Sequence, residues 1–166
     1  TSGKSLTIAP STTVSTRALQ GVRGTWLLDP ADLEVVGAGG TGTIAAGTNS
    51  IANSTIAAAT IVTALDGNNV DLQATNSITV SAAINATPNT SSGNLTLTAP
   101  TTNLNQAITL KPGSTLNGTA TTVNVGATGT VQNGVDAALA GGTVNLAAAT
   151  YTLAQEVAIN KNITVR

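Results

Sequence analysis

Polar and branched aliphatic residues alternate in short runs along most of this chain. In a typical run, Thr or Asn lies between two residues drawn from Val, Ile and Leu, as in residues 77–81 and 143–147. An alternation with a period of two predicts β-strands that bury one face, and threonine suits the outward positions of such strands. The runs with this pattern are residues 5–9, 32–36, 69–74, 77–81, 94–98, 107–110, 122–125, 143–147 and 162–166.

Two segments have a helical pattern instead. Residues 60–65 are predicted to form a short helix before a turn at residues 67–69. Residues 131–140 place Val131, Val135 and Leu139 on one helical face, and the glycine pair that follows them is expected to end this second helix.

The size of the hydrophobic residues decides how the predicted strands are expected to assemble. A sandwich usually fills a core about 10 Å thick with large aromatic residues, but this chain has no Phe, one Trp and one Tyr. A parallel β-helix has a narrower interior that Val, Ile, Leu and Ala can fill, and similar runs recur here about every 20–28 residues. We therefore expect an all-β fold, a parallel β-helix with one or two short helical turns, as a single domain over residues 1–166.

Composition excludes several kinds of chemistry. The 166 residues include no Cys, His or Met, which excludes a Cys/His zinc site, a Cys or His nucleophile and a Cys-ligated iron–sulfur cluster. We expect no cofactor and no enzymatic activity. Charged residues make up 8% of the chain and the net charge is −1, so nucleic acid is a poor partner. The apolar stretch at residues 56–62 is far shorter than the ~18 residues of a membrane span, and membrane insertion is not expected.

One motif resembles a known family. The sequence Gly-Thr-Trp-Leu-Leu-Asp-Pro at residues 24–30, with Asp-Leu-Glu-Val at 32–35, is similar to a motif of filamentous-haemagglutinin-like exoproteins of two-partner secretion systems. The runs at 54–56, 61–65, 67–72 and 78–80 continue the resemblance, and residues 131–166 resemble pectin-lyase-like repeats. The structural motif comprises Trp26, Leu27, Leu28, Asp29 and Pro30.

The resemblance implies a right-handed parallel β-helix that is secreted through an outer-membrane partner to the bacterial cell surface or the extracellular space. Such a protein would be the shaft of an adhesin or of a toxin-delivery protein. The Asn-Pro-Asn motifs of the family's secretion domain do not occur in this sequence, so an internal fragment of a longer protein is expected.

Individual residues suggest further chemistry. Asp29, Asp32 and Glu34 form the one local acidic cluster, which could hold Ca²⁺ or act as a carboxylate pair, but a turn that enters a strand explains it more simply. Trp26 could stack on a sugar, although a lone Trp beside two leucines more often covers a core. Glycosylation of Asn-x-Ser/Thr sites is a further possibility, most of all at Asn53, Asn94 and Asn117.

Thr-x-Thr pairs raise the question of an ice-binding face. Four of them begin at residues 41, 96, 119 and 128, and this irregular spacing argues against threonines that line up from one coil to the next. Outward threonines on strands explain them adequately.

The sequence thus favours a structural or adhesive segment of a secreted bacterial surface protein, a stiff β-helical shaft. Unpaired strands at its ends would favour end-to-end association into fibres, and a host-surface or glycan receptor is an expected partner. A β-helical polysaccharide lyase or hydrolase and an ice-binding module are the alternatives.

Overall fold

The computed structural model describes residues 6–8, 25–28, 30–37, 42–44 and 54–166, with side chains for 30–37 and 54–166. These residues form 15 strands and two helices. The strands are β1 (Leu6–Ile8), β2 (Thr25–Leu28), β3 (Asp32–Val36), β4 (Gly42–Ile44), β5 (Ser54–Ala57), β6 (Asn69–Gln73), β7 (Ser77–Val80), β8 (Ile84–Asn85), β9 (Leu95–Thr98), β10 (Thr101–Leu104), β11 (Ile108–Thr109), β12 (Leu116–Gly118), β13 (Ala120–Val125), β14 (Ala138–Leu146) and β15 (Thr164–Val165). The helices are α1 (Ala58–Leu65) and α2 (Val131–Ala137).

Most of the strands pair in parallel. A seven-stranded sheet has the order β15-β14-β13-β10-β7-β3-β5, and a four-stranded sheet has the order β12-β9-β6-β2. Both are parallel throughout, as is the small sheet of β8 and β11. The remaining pair, β1 and β4, is antiparallel.

Aliphatic side chains line up from strand to strand because the register is kept along the seven-stranded sheet. One row contains Leu33, Ile78, Thr102, Val123 and Val144, all buried. A second inward row, two residues further along each strand, runs from Val35 to Leu146. The four-stranded sheet adds its own inward leucines and valines, and the two sets form one hydrophobic core.

Both helices complete this core. In α1, Ile61, Ala64 and Leu65 lie on one face and are buried, as the spacing i, i+3, i+4 requires. The helix ends where Gly67 adopts a φ of 104°, a conformation that favours glycine, and where the Asn68 side chain donates to the carbonyl of Ala64.

Helix α2 begins where the sequence predicts and ends three residues early. The Thr130 hydroxyl accepts a hydrogen bond from the Asn133 backbone at 3.2 Å, which is the usual N-cap arrangement. Strand β14 starts at Ala138, opposite Ala120 of β13. Pairing with β13 therefore ends the helix, and Gly141 and Gly142 lie within the strand instead of terminating α2.

The predicted all-β, right-handed parallel β-helix is wrong. Two helices contribute buried residues to the core, β1 and β4 pair antiparallel, and the described strands are divided among four sheets without forming a closed solenoid. The physical reason is that alternation within a run shows only that a strand buries one face, and it does not determine how the strands are divided among sheets or that β1 and β4 pair antiparallel. The structure is strand-rich and mainly parallel, with two helices.

Candidate interaction face and C-terminal cavity

The outward face of the seven-stranded sheet carries a column of hydroxyl groups. Thr101, Thr122, Thr143 and Thr164 occupy equivalent positions in four consecutive strands. Their hydroxyls have no hydrogen-bond partner in the described part of the chain. We call these four residues the hydroxyl column. Adjacent strands place its members about 4.8 Å apart.

A second column, two residues along each strand, is bonded together by its own side chains. The Asn103 amide donates to the Thr79 hydroxyl at 3.1 Å, and Asn124 donates to Asn103 at 2.8 Å. Asn145 donates to Asn124 at 2.9 Å, and the Arg166 Nε donates to the Asn145 carbonyl oxygen at 2.8 Å. We call this chain from Thr79 to Arg166 the amide ladder. Each asparagine side chain thus donates one bond to the strand on one side and accepts one bond from the other side.

Carboxylates flank the β7 end of both columns. The Ser77 hydroxyl donates to Asp32 at 2.7 Å, and the Ser81 hydroxyl donates to Glu34 at 2.6 Å. The two acids lie at a surface depression of about 400 Å³. No group of three or more acidic side chains converges within the described residues, and the hydroxyls of Ser77 and Ser81 already bond to this pair.

A larger cavity, of about 750 Å³, lies between the start of α2 and residues 150–158. These residues belong to a C-terminal segment, 147–163, that contains no helix or strand. The Tyr151 hydroxyl lies within hydrogen-bond distance, 3.1 Å, of the backbone carbonyl oxygens of Val125 and Ala147. This contact helps to hold the segment in place. Further along, Gln132 of α2 bonds both backbone groups of Ala158.

Asp136 is the titratable group with a shifted pKa beside this cavity. Burial raises the pKa of its carboxyl above the ordinary value, while the hydrogen bond from Gln132 and the charge of Lys161 act in the opposite direction. The Lys161 ammonium donates to the backbone carbonyl of Asp136 at 3.0 Å. Lys161 thus helps to attach the C-terminal segment to the end of α2.

The structure describes the residues of the predicted structural motif to different extents. Trp26, Leu27 and Leu28 lie in β2, where their backbones pair with residues 70–72 of β6. Their side chains and Asp29 lie outside the described part, so the predictions for Trp26 and Asp29 stay predictions. Pro30 is buried, and its carbonyl accepts a bond from the Thr75 backbone at 3.1 Å.

The three predicted glycosylation sites differ in their surroundings. Asn53 lies outside the described residues. Asn94 is half-buried, and its side-chain oxygen accepts a bond from the Thr115 backbone at 2.9 Å. Asn117 is exposed on β12, and its Nδ2, the atom to which a glycan would be attached, donates to the Thr115 hydroxyl at 3.1 Å.

The individual residues of the hydroxyl column and the amide ladder were not assigned from the sequence, although the sequence contains a signal for them. Thr-Thr-Asn-Leu at 101–104, Thr-Val-Asn-Val at 122–125 and Thr-Val-Asn-Leu at 143–146 repeat with the same spacing, and Thr-Val-Arg ends the series at 164–166. A search for Thr-x-Thr pairs misses this series because its second outward residue is Asn.

The chain matches no protein-family model, no curated protein and no solved structure. Its class is defined by its own geometry as a strand-rich, mainly parallel protein with a laddered polar face. Neither α1 nor α2, the helices among the described residues, is long and apolar enough to cross a membrane.

Proposed function

We propose that this chain is a structural segment of a secreted bacterial surface protein or extracellular filament, and that it supports adhesion by the assembly that carries it. The observation that carries the proposal is the amide ladder, in which side-chain hydrogen bonds join strands β7, β10, β13 and β14 in an unbroken series. These repeated bonds are spread over several strands and not gathered at one site, and they join each strand to the next.

Three kinds of contact act together in the seven-stranded sheet. Backbone hydrogen bonds join adjacent strands, aliphatic rows fill the interior, and the amide ladder joins the outer face. Each side-chain bond contributes about 1 kcal/mol, and bonds in a chain polarise one another. Such a sheet resists bending and local opening, which suits a structural role.

We include secretion in the proposal because the motif at residues 24–30 resembles that of two-partner-secretion exoproteins. The corresponding partners are an outer-membrane secretion protein and a host-surface or glycan receptor. The absence of cysteine from the sequence is compatible with this route, because no disulfide can form before the chain has crossed the outer membrane.

Self-association is part of the same proposal. Strand β15 lies at one edge of the seven-stranded sheet, and Val165 is 38% exposed there. The opposite edge strand, β5, contacts β4. Because an edge strand presents unpaired backbone groups, we expect copies to associate by pairing of strands at a sheet edge.

Localisation of the native protein tests the proposal. An antibody raised against the purified chain is applied to intact cells of the source bacterium and to its culture medium, with an antibody against a cytosolic enzyme as the control. We expect labelling of intact cells or recovery from the medium, without the cytosolic enzyme. Recovery of the antigen only from lysed cells, together with the cytosolic enzyme, would contradict the proposal.

A further inference from the structure

The hydroxyl column and the adjacent asparagines form a regular two-dimensional array. Four threonines repeat across four parallel strands, and Asn103, Asn124 and Asn145 form the parallel row. The repeat is about 4.8 Å across the strands and about 6.6 Å along them, since the two rows are two residues apart. This array is distinct from both cavities, because none of its residues lines either one.

The chemistry of the array is neutral and bidirectional. Each threonine hydroxyl can donate one hydrogen bond and accept others, and each asparagine adds amide and carbonyl groups. Charged side chains occur beyond the array, with Asp32 and Glu34 at one end and Arg166 at the other. Between those ends the array has no charge that could attract a charged ligand. An uncharged surface that carries hydrogen-bond donors and acceptors is complementary to the array.

The array is also held in place before any ligand binds. Three of the four threonines lie in strands that pair in parallel on both sides, which fixes their backbones. They are Thr101, Thr122 and Thr143. The asparagine side chains are fixed by their bonds to one another. Binding thus requires little further ordering of side chains, which is a main cost of recognition at a surface.

We propose that this face binds the surface of ice. A periodic solid is the occupant that matches a periodic row of unpartnered hydroxyls, since each added strand repeats the same contact with the lattice. Ice is uncharged, and each of its surface oxygens is both donor and acceptor. The threonine methyl groups beside the hydroxyls add apolar contact, which releases water from the interface. The inference is independent of where the native protein is located.

Ice growth in the presence of the purified chain tests the proposal. The measurements are inhibition of ice recrystallisation and thermal hysteresis, for the wild type, Thr122→Tyr and Thr109→Tyr. Thr122 lies in the middle of the hydroxyl column, and a tyrosine there would lift an ice surface away from its neighbours. Thr109 is an exposed threonine on β11, outside the array, and its variant is the matched control.

We expect the wild type and Thr109→Tyr to inhibit recrystallisation and to show thermal hysteresis, and Thr122→Tyr to lose both. Circular dichroism checks that each variant is folded, and Thr143→Tyr replaces Thr122→Tyr if the latter does not fold. A wild type without effect on ice, or a folded Thr122→Tyr with unchanged activity, would overturn the proposal. So would binding to an insoluble polysaccharide without any effect on ice growth.

Discussion

Replacing Thr102 by valine should make the protein more stable. Thr102 lies in the inward row between Ile78 and Val123, and it is 0% exposed. Its hydroxyl is the one buried side-chain polar atom without a hydrogen-bond partner among the described residues. Threonine and valine have nearly the same shape, so the substitution exchanges an unpaired hydroxyl for a methyl group in an aliphatic row.

The size of the effect follows from the burial. An unpaired buried hydroxyl costs about 1–3 kcal/mol, and burial of one more methyl group adds about 0.8 kcal/mol. Together they predict that Thr102→Val raises the free energy of unfolding by about 2–4 kcal/mol. In a chain of this length, each kcal/mol raises Tm by about 2–4 °C.

Urea unfolding followed by circular dichroism, with a thermal scan beside it, measures this difference. Thr102→Ser keeps the hydroxyl and removes a methyl group, and it should lower stability by about 1 kcal/mol. Thr122→Val makes the same exchange on the outward face and should change stability by less than about 0.5 kcal/mol. A Thr102→Val variant no more stable than the wild type would refute the reasoning.

Three further predictions concern the amide ladder, the buried acid and a close backbone contact. Asn124→Ala removes two ladder bonds and should lower the unfolding free energy by about 1–2 kcal/mol; a loss too small to measure by urea unfolding would contradict the ladder's role. The raised pKa of Asp136 means that its contribution to stability is present below the ordinary pKa and is lost as the pH rises through the folded pKa. Asp136→Asn should therefore be more stable than the wild type at neutral pH, with a difference that disappears in acid, and a difference independent of pH would refute this. A Cβ on Gly118 would lie 2.3 Å from the Ala137 carbonyl oxygen, so Gly118→Ala should cost about 1–3 kcal/mol, whereas Gly37→Ala, with open space around its Cβ, should be close to neutral by the same assay.

The alternation of polar and aliphatic residues was sufficient to predict many strands. The run at 32–36 coincides with β3, and the run at 77–81 contains β7. Local pattern carries this information because each strand buries one face. Both helices were also predicted, and α1 exceeds its prediction by two residues at its start.

Pairing between distant strands explains what the sequence did not reveal. Thr102 has a polar neighbour on each side, so its inward position is visible only once Thr102 is aligned with Ile78. The early end of α2 depends on a partner strand 18 residues away, where Ala120 pairs with Ala138. The division into four sheets likewise depends on how the strands assemble. The alternation within a single run does not predict it.

Electron microscopy of the native protein tests the structural role most directly. Native material that contains this chain is negatively stained and labelled with a gold-conjugated antibody against the chain, with a non-immune antibody as the control. We expect long, thin particles or fibres that carry the label. Compact labelled particles, with no extended form at any concentration, would contradict the structural role.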